Sequence, residues 1–154
     1  MLGKLLGREK TPERFPQENF TIGQGERDGR PAFVMLNLAY RDYAFPSDYP
    51  WHLQIEIAFD DANEHGLCTD DEAQVLNAME DRLDAALRET GGVHYIARQT
   101  WNGLRMIDYY VENGEAAERA LEALATAGQL DRSFTFEVKR DEDWAICLSF
   151  FDNF

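Results

Sequence analysis

The sequence predicts an α+β protein in which two helices pack on one face of an antiparallel sheet. Residues 51–59 alternate between apolar and polar side chains, which is typical of a strand with one buried face. Two later segments, 69–90 and 115–127, carry apolar residues at helical spacing instead. Between them, Asn102-Gly103 joins two β-rich runs and favours the two-residue turn of a hairpin. With 154 residues, the chain is long enough to bury one core.

The first 16 residues are predicted to be a flexible basic arm, and residues 17–154 a single α+β domain. Four basic residues mark the arm: Lys4, Arg8, Lys10 and Arg14. A frayed terminus accounts for such a segment. The alternative is a short docking segment that uses three leucines: Leu2, Leu5 and Leu6.

A hairpin over residues 17–41 is predicted to extend the sheet. Its first strand fits Glu18–Gly23, its turn fits the segment 25–29, and its second strand fits Ala32–Tyr40. The next strand, within residues 51–59, is predicted to turn its apolar residues to the core: Trp51, Leu53, Ile55, Ile57 and Phe59. Its polar residues point to the other face: His52, Gln54 and Glu56.

The first helix begins with T-D-D-E, in which Thr69 and Glu72 predict a capping box. Gly91-Gly92 ends this helix. Three acidic residues lie off its apolar stripe and predict an acidic surface suited to a basic partner: Glu80, Asp81 and Asp84.

Pairing outward from the Asn102-Gly103 turn divides the central hairpin into two faces. One set is slightly more apolar: Tyr95, Ala97, Gln99, Trp101, Leu104, Met106, Asp108 and Tyr110. The other set is more polar: His94, Ile96, Arg98, Thr100, Arg105, Ile107, Tyr109 and Val111. A register error of one residue would exchange the two sets.

Asn113 is predicted to cap the second helix, and Gly128 to end it. A strand with Phe134, Phe136 and Val138 on one side follows. The apolar segment 144–151 fits either a buried extension or a further strand.

The element order from residue 51 is β-α-β-β-α-β, which is the order of the ferredoxin-like fold. The predicted fold is therefore a ferredoxin-like antiparallel sheet with two helices on one face, extended by the N-terminal hairpin and the C-terminal apolar segment. The opposite sheet face is expected to be open and polar. It is predicted to carry Gln54, Glu56, Thr135, Glu137 and Lys139, joined by His94, Arg98, Thr100 and Arg105.

The net charge of −14 disfavours nucleic acid and anionic membranes as partners, because both repel an acidic protein. A basic protein partner fits this charge. Two widely spaced cysteines, Cys68 and Cys147, and the lack of a signal peptide predict a cytoplasmic protein. We expect no cofactor.

Sites of catalysis and metal binding give weak signals. The segment 61–72 places Asp61, Asn63 and Glu72 at calcium-loop positions, but it equally fits a polar connection between a strand and a helix. No serine has a G-x-S-x-G setting, and the three histidines lack metal-ligand spacing. We therefore predict no catalytic or metal residues. Glu56 and Glu137 are the best candidates if acid–base chemistry exists.

Five segments in order resemble the family known as domain of unknown function 695. They are R-P-A-F-V-M-L-N-L, Y-P-W-H-L-Q-I-E-I, N-E-H-G-L-C-T-D-D-E-A, I-A-R-Q-T-W-N-G-L-R-M-I-D-Y-Y-V and F-T-F-E-V-K-R-D-E-D-W. The resemblance spans roughly residues 17–151 and implies a bacterial protein without assigned catalytic residues. Some members look to be joined to a domain similar to the type B regulator of ribonuclease E activity, which implies regulation through protein binding.

The sequence therefore favours a non-catalytic protein-binding or regulatory module. The candidate binding residues are Glu56, His94, Arg98, Arg105 and Glu137 on the open sheet face, and Glu80, Asp81 and Asp84 on the helix. The alternative is a small enzyme or ligand-binding protein with a pocket where His52, Glu56, Arg98 and His94 converge. A homo-oligomer that uses the apolar C-terminal segment is a third possibility.

Overall fold

The computed structural model describes residues 11–152, which form a six-stranded antiparallel sheet with three α-helices. The strands are β1 (Phe20–Arg27), β2 (Arg30–Asn37), β3 (Trp51–Ala58), β4 (Val93–Trp101), β5 (Leu104–Val111) and β6 (Phe134–Arg140). The helices are α1 (Asp70–Arg88), α2 (Gly114–Ala127) and α3 (Ala145–Phe151). Neighbouring strands follow the order β1-β2-β4-β5-β3-β6, so β1 and β6 are the two edges of the sheet. The predicted α+β class is confirmed.

Two tight turns set the register of the two hairpins. Asn102 and Gly103 both have positive φ, of 47° and 80°, as the predicted turn between β4 and β5 requires. Asp28 and Gly29 join β1 to β2 in the same way, with φ of 51° and 76°. The N-terminal turn is therefore shorter than the predicted segment 25–29.

Helices α1 and α2 cover one face of the sheet, called here the α1/α2 face. The apolar side of β3 lies in this core with Leu53, Ile55 and Ile57, as predicted. Helix α1 contributes the buried side chains of Leu76, Met79, Leu83 and Leu87. Asn113 caps α2 by accepting a hydrogen bond from the Ala116 N–H, and Gly128 ends that helix with φ of 63°. Both predicted helices are confirmed.

The opposite face, called here the α3 face, is largely covered. Helix α3 packs on it together with the connection between β2 and β3, and they bury a second cluster that includes Leu36, Ile96 and Tyr110. The prediction that 144–151 forms a further strand is wrong. The segment forms α3 instead, and the Asp141 carboxylate accepts from the N–H groups of Ala145 and Ile146 at the start of this helix. A segment that is apolar throughout has no periodicity that separates strand from helix.

A β-bulge at Ile96 changes the predicted faces at the start of β4. The pairing runs Tyr95 with Tyr109 and then Ala97 with Asp108, so one extra residue lies in β4. His94 therefore lies on the α3 face, while Tyr95 shares the α1/α2 face with Arg98. The prediction that Arg98, Thr100 and Arg105 lie opposite the helices is wrong, because Arg98 and Arg105 contact α1.

The N-terminal segment contacts the domain before β1 begins. Phe15 stacks on His94 with ring centroids 4.8 Å apart, and Arg14 pairs with Asp48. The Tyr43 hydroxyl donates a hydrogen bond to the Arg14 carbonyl at 2.6 Å. The remaining basic residues of the predicted arm, and its three leucines, lie outside the described residues.

Candidate functional site

The structure distributes the predicted binding residues over three separate places. Glu80, Asp81, Asp84, Arg98 and Arg105 lie together on the α1/α2 face. Glu56 and Glu137 lie on the uncovered part of the α3 face. His94 is buried among aromatic rings. The convergence of His52, Glu56, Arg98 and His94 does not occur, because Arg98 is on the other side of the sheet.

Glu80 is the centre of a buried ionic cluster rather than part of a solvated acidic surface. Its carboxylate accepts from Arg98 at 2.7 Å and from Arg105 at 3.1 Å. The Tyr95 hydroxyl donates to the same carboxylate. The bulge at Ile96 makes this possible, since it turns Tyr95 towards α1. One carboxylate thus holds two guanidinium groups against the helix.

Arg105 is the cation in this cluster whose burial is least compensated by hydrogen bonds. It is buried, and its Nε atom has no hydrogen-bond partner among the described residues. Burial, together with the positive charge of Arg98, lowers the pKa of the Arg105 guanidinium below its ordinary value. The cluster therefore depends on Glu80 for its compensating negative charge.

A groove lies beside this cluster, between α1 and the first hairpin, and is called here the β1 groove. Its floor is formed by Phe20, Met35 and Tyr95, and acidic side chains form its rim: Glu18, Asp81 and Asp84. The groove encloses about 210 Å³. Asp84 is paired with Arg88 at 2.7 Å, whereas the Asp81 side chain is exposed. The rim therefore retains negative charge next to an apolar floor.

Strand β1 is an apolar edge. Ile22 is 70% exposed and Phe20 is 39% exposed, and both lie on the α1/α2 face. Among residues 11–152, no strand pairs with the outer side of β1. The opposite edge, β6, is protected by charged residues instead: Glu137, Lys139 and Arg140. Sequence reasoning did not single out Phe20 and Ile22, although the run F-T-I-G-Q-G contains no charge or proline.

His94 lies in a closed aromatic cluster. The Tyr43 hydroxyl donates a hydrogen bond to the Arg14 backbone carbonyl, so its oxygen can accept from His94 Nε2 at 3.3 Å. The other ring nitrogen, Nδ1, then accepts from the Tyr40 hydroxyl at 2.7 Å. Burial, with a contribution from the charge of Arg88, lowers the pKa of His94 to about 4. A neutral imidazole therefore fills this position at neutral pH.

Glu56 and Glu137 line a shallow patch with Gln54 and Thr135. Glu137 lies 3.3 Å from Lys139, and both side chains are exposed. Four of the residues that the sequence predicts for the open face line this patch, whereas His94, Arg98, Thr100 and Arg105 lie elsewhere.

The segment 61–72 is a hydrogen-bonded connection between β3 and α1. Asn63 Oδ1 accepts from the N–H groups of His65 and Leu67. Thr69 caps α1 as predicted, because its hydroxyl accepts from the Glu72 N–H. The Glu72 carboxylate does not complete the capping box, because it accepts from the backbone of Asp61 and pairs with Arg132. Burial alone would raise the pKa of Glu72, but these partners lower it by more.

The fold defines a small α+β protein with an open antiparallel sheet. The chain belongs to the Family of unknown function (DUF695), whose model matches residues 19–151. Neither the comparison with curated proteins nor the comparison with solved structures found a match. Within residues 11–152, every helix is too short or too polar to cross a bilayer.

Proposed function

We propose that this protein is a non-catalytic binding module that adds an extended, basic segment of a partner protein to the outer edge of β1. The observation that carries the proposal is the exposed edge strand beside the β1 groove, whose first six residues, 20–25, carry no charge. Proteins in which such an edge has no role usually protect it with charge, proline or a covering element.

Strand addition supplies affinity through the backbone and specificity through side chains. The N–H and C=O groups on the free edge of β1 can pair with any extended chain. Alternate side chains of that chain would then lie over Phe20 and Ile22, on the same face as the β1 groove. An apolar residue at every second position of the partner fits this surface.

The charge of the groove favours a basic partner over a second copy of this chain. The rim residues Glu18 and Asp81 are exposed, and the whole chain carries −14. Two copies would bring like charges together, whereas a Lys or Arg of the partner would meet Asp81 directly. Such complementarity raises association rates and makes them sensitive to salt.

The test is a selection from a random-peptide display library, followed by measured affinities for synthetic peptides. We expect the selected peptides to be basic, with apolar residues at alternate positions. Ile22→Lys should weaken their binding at least about tenfold, and the matched change on the other edge, Thr135→Lys, should leave it unchanged. Amide exchange should slow in β1 when the peptide binds.

Peptides that bind Ile22→Lys as well as the wild-type protein would refute the proposal, as would a selection without enrichment. Asp81→Asn provides a second measure, since it should lower the association rate and its dependence on salt without unfolding the domain. Once a peptide is known, its sequence can be searched for in proteins captured from the source organism's lysate by wild-type protein and not by Ile22→Lys.

A ligand-binding function for the α3 face is the second candidate. A larger cleft of about 560 Å³ lies there, lined by Gly25, Val34, Gln99 and Phe150. Thermal-shift screening of small metabolites tests it. Ligands that stabilise the wild-type protein and lose their effect in Gln99→Leu would support this candidate.

We further infer that residues from β3 onward are a ferredoxin-like unit. Its four strands occur in the order β6-β3-β5-β4, and α1 and α2 pack on one of its faces, which supports this relation. A cytoplasmic location is likewise proposed, supported by two free cysteines in separate parts of the structure.

A further inference from the structure

We propose that His52, Asp108 and Cys147 form a zinc site that ties α3 to the sheet. This site is independent of the β1 groove. The three residues come from three elements, β3, β5 and α3, which only the fold brings together. Their ligand atoms all lie within 4.8 Å of one another.

The distances suit a tetrahedral ion after a small contraction. Zinc bonds of about 2.0 Å to nitrogen or oxygen and about 2.3 Å to sulfur place ligand atoms roughly 3.3–3.7 Å apart. His52 Nε2 lies 2.8 Å from Asp108 Oδ1, so this pair has to open slightly. The thiol has to move closer by about 1 Å, a shift that side-chain rotation can supply.

The burial of the three side chains separates them from an ordinary surface cluster. His52 is 5% exposed, and Asp108 and Cys147 are each 1% exposed. A buried carboxylate needs compensating charge, and a divalent cation provides it. The other cysteine, Cys68, belongs to the connection before α1 and not to this cluster.

Neighbouring amides hold Asp108 in the orientation that a ligand needs. The Gln54 side chain donates to Asp108 Oδ1 at 3.2 Å, and the Gln99 side chain donates to Oδ2 at 3.5 Å. Outer hydrogen bonds of this kind orient the ligands in metal sites. Without an ion, the same arrangement is a hydrogen-bonded His–Asp pair next to a thiol. The experiment must therefore distinguish a zinc site from this metal-free pair.

The ligand types select the ion. A thiolate with an imidazole and a carboxylate suits Zn²⁺, whereas Ca²⁺ and Mg²⁺ prefer oxygen ligands alone. Binding converts the Cys147 thiol to a thiolate, so uptake of one Zn²⁺ releases that proton to solvent. A solvent molecule or a nearby side chain completes the fourth position.

The test uses the full chain, stripped of metal by a chelator and kept reduced, with Co²⁺ as a spectroscopic probe. We expect one Co²⁺ per chain, with a thiolate-to-cobalt charge-transfer band and visible bands of a tetrahedral centre. Zn²⁺ should displace Co²⁺ stoichiometrically. It should also raise the melting temperature and slow amide exchange in α3, because an ion that binds only the folded state stabilises it.

Matched variants locate the ion. Cys147→Ser should remove the charge-transfer band, and both Cys147→Ser and His52→Gln should weaken zinc binding at least about 100-fold. Cys68→Ser and His65→Gln change the same residue types elsewhere and should leave the zinc affinity unchanged. Circular dichroism of the metal-free variants reports whether they fold, and Gln54→Met provides a milder variant that should weaken binding about tenfold. Failure to bind Co²⁺ or Zn²⁺ at micromolar concentration, or unchanged binding in Cys147→Ser, would overturn the proposal.

Discussion

His94 shows how a single buried side chain can set the pH range of a fold. Its ring nitrogens are both engaged by tyrosines, Tyr40 and Tyr43, and Phe15 stacks on the ring. Protonation would put a second N–H where Nδ1 accepts from Tyr40. It would also bury a positive charge near Arg88, whose charge already disfavours it. The packed state therefore requires the neutral imidazole.

The lowered pKa of His94 predicts a loss of stability in weak acid. The folded pKa is about 4 and the ordinary value is 6.5, so the contribution is complete above pH 6.5 and is lost as the pH falls towards 4. The full shift corresponds to at most about 3 kcal/mol. Urea unfolding at several pH values should show this slope in the wild-type protein and a shallower slope in His94→Gln. The exposed His65→Gln is the control and should retain the wild-type slope.

Glu80 is the second residue whose role is set by its surroundings. We expect Glu80→Gln to destabilise the fold by about 3 kcal/mol, because it leaves the buried Arg105 without a carboxylate. Asp81→Asn, the neighbouring exposed residue on the same helix, should change the free energy of unfolding by less than about 0.5 kcal/mol. Equal stabilities of the two variants in urea would contradict the structural role of Glu80.

At the scale of elements, the connection before α1 is held against the turn of the central hairpin. Gly66 has φ of +78°, and its carbonyl accepts from the Gly103 N–H at 2.7 Å. A Cβ added at Gly66 would lie 2.8 Å from the Cα of Asn102. The loop and the β4–β5 turn therefore approach so closely that only glycine fits between them.

Two glycine substitutions separate this close approach from the effect of backbone conformation. Gly29 has nearly the same φ, +76°, but a Cβ there meets no atom within 4 Å. Gly29→Ala should cost about 1 kcal/mol, which is the cost of the left-handed conformation alone. Gly66→Ala should cost at least about 2 kcal/mol, because it adds a backbone clash. Thermal unfolding of the two variants measures the difference, and equal losses would show that the loop moves away without cost.

At the scale of the whole molecule, local signals predicted the elements, and long-range contacts decided the faces. Turn residues such as Asn102-Gly103 and caps such as Asn113 act over a few positions, so they can be read directly. The bulge at Ile96 has no local signal, and its one extra residue places Tyr95 on the same face as Arg98 and His94 on the other face. The contacts of Glu80 with Arg98 and Arg105 depend on which sheet face the helices cover, and the contact of His52 with Asp108 depends on the pairing of β3 with β5.

The net charge of the molecule opposes self-association, whereas the apolar β1 edge favours it. A charge of −14 keeps copies apart at low ionic strength, while Phe20 and Ile22 offer an edge that can pair with any strand. Because 1 M salt shortens the screening length to about 3 Å, the repulsion fades and the edge remains. Sedimentation at neutral pH should therefore show a monomer at low salt and association at high salt. Ile22→Lys should remain monomeric in both, whereas Thr135→Lys, on the protected edge, should associate like the wild-type protein. If Ile22→Lys also associates at high salt, the surface that causes association is not the β1 edge.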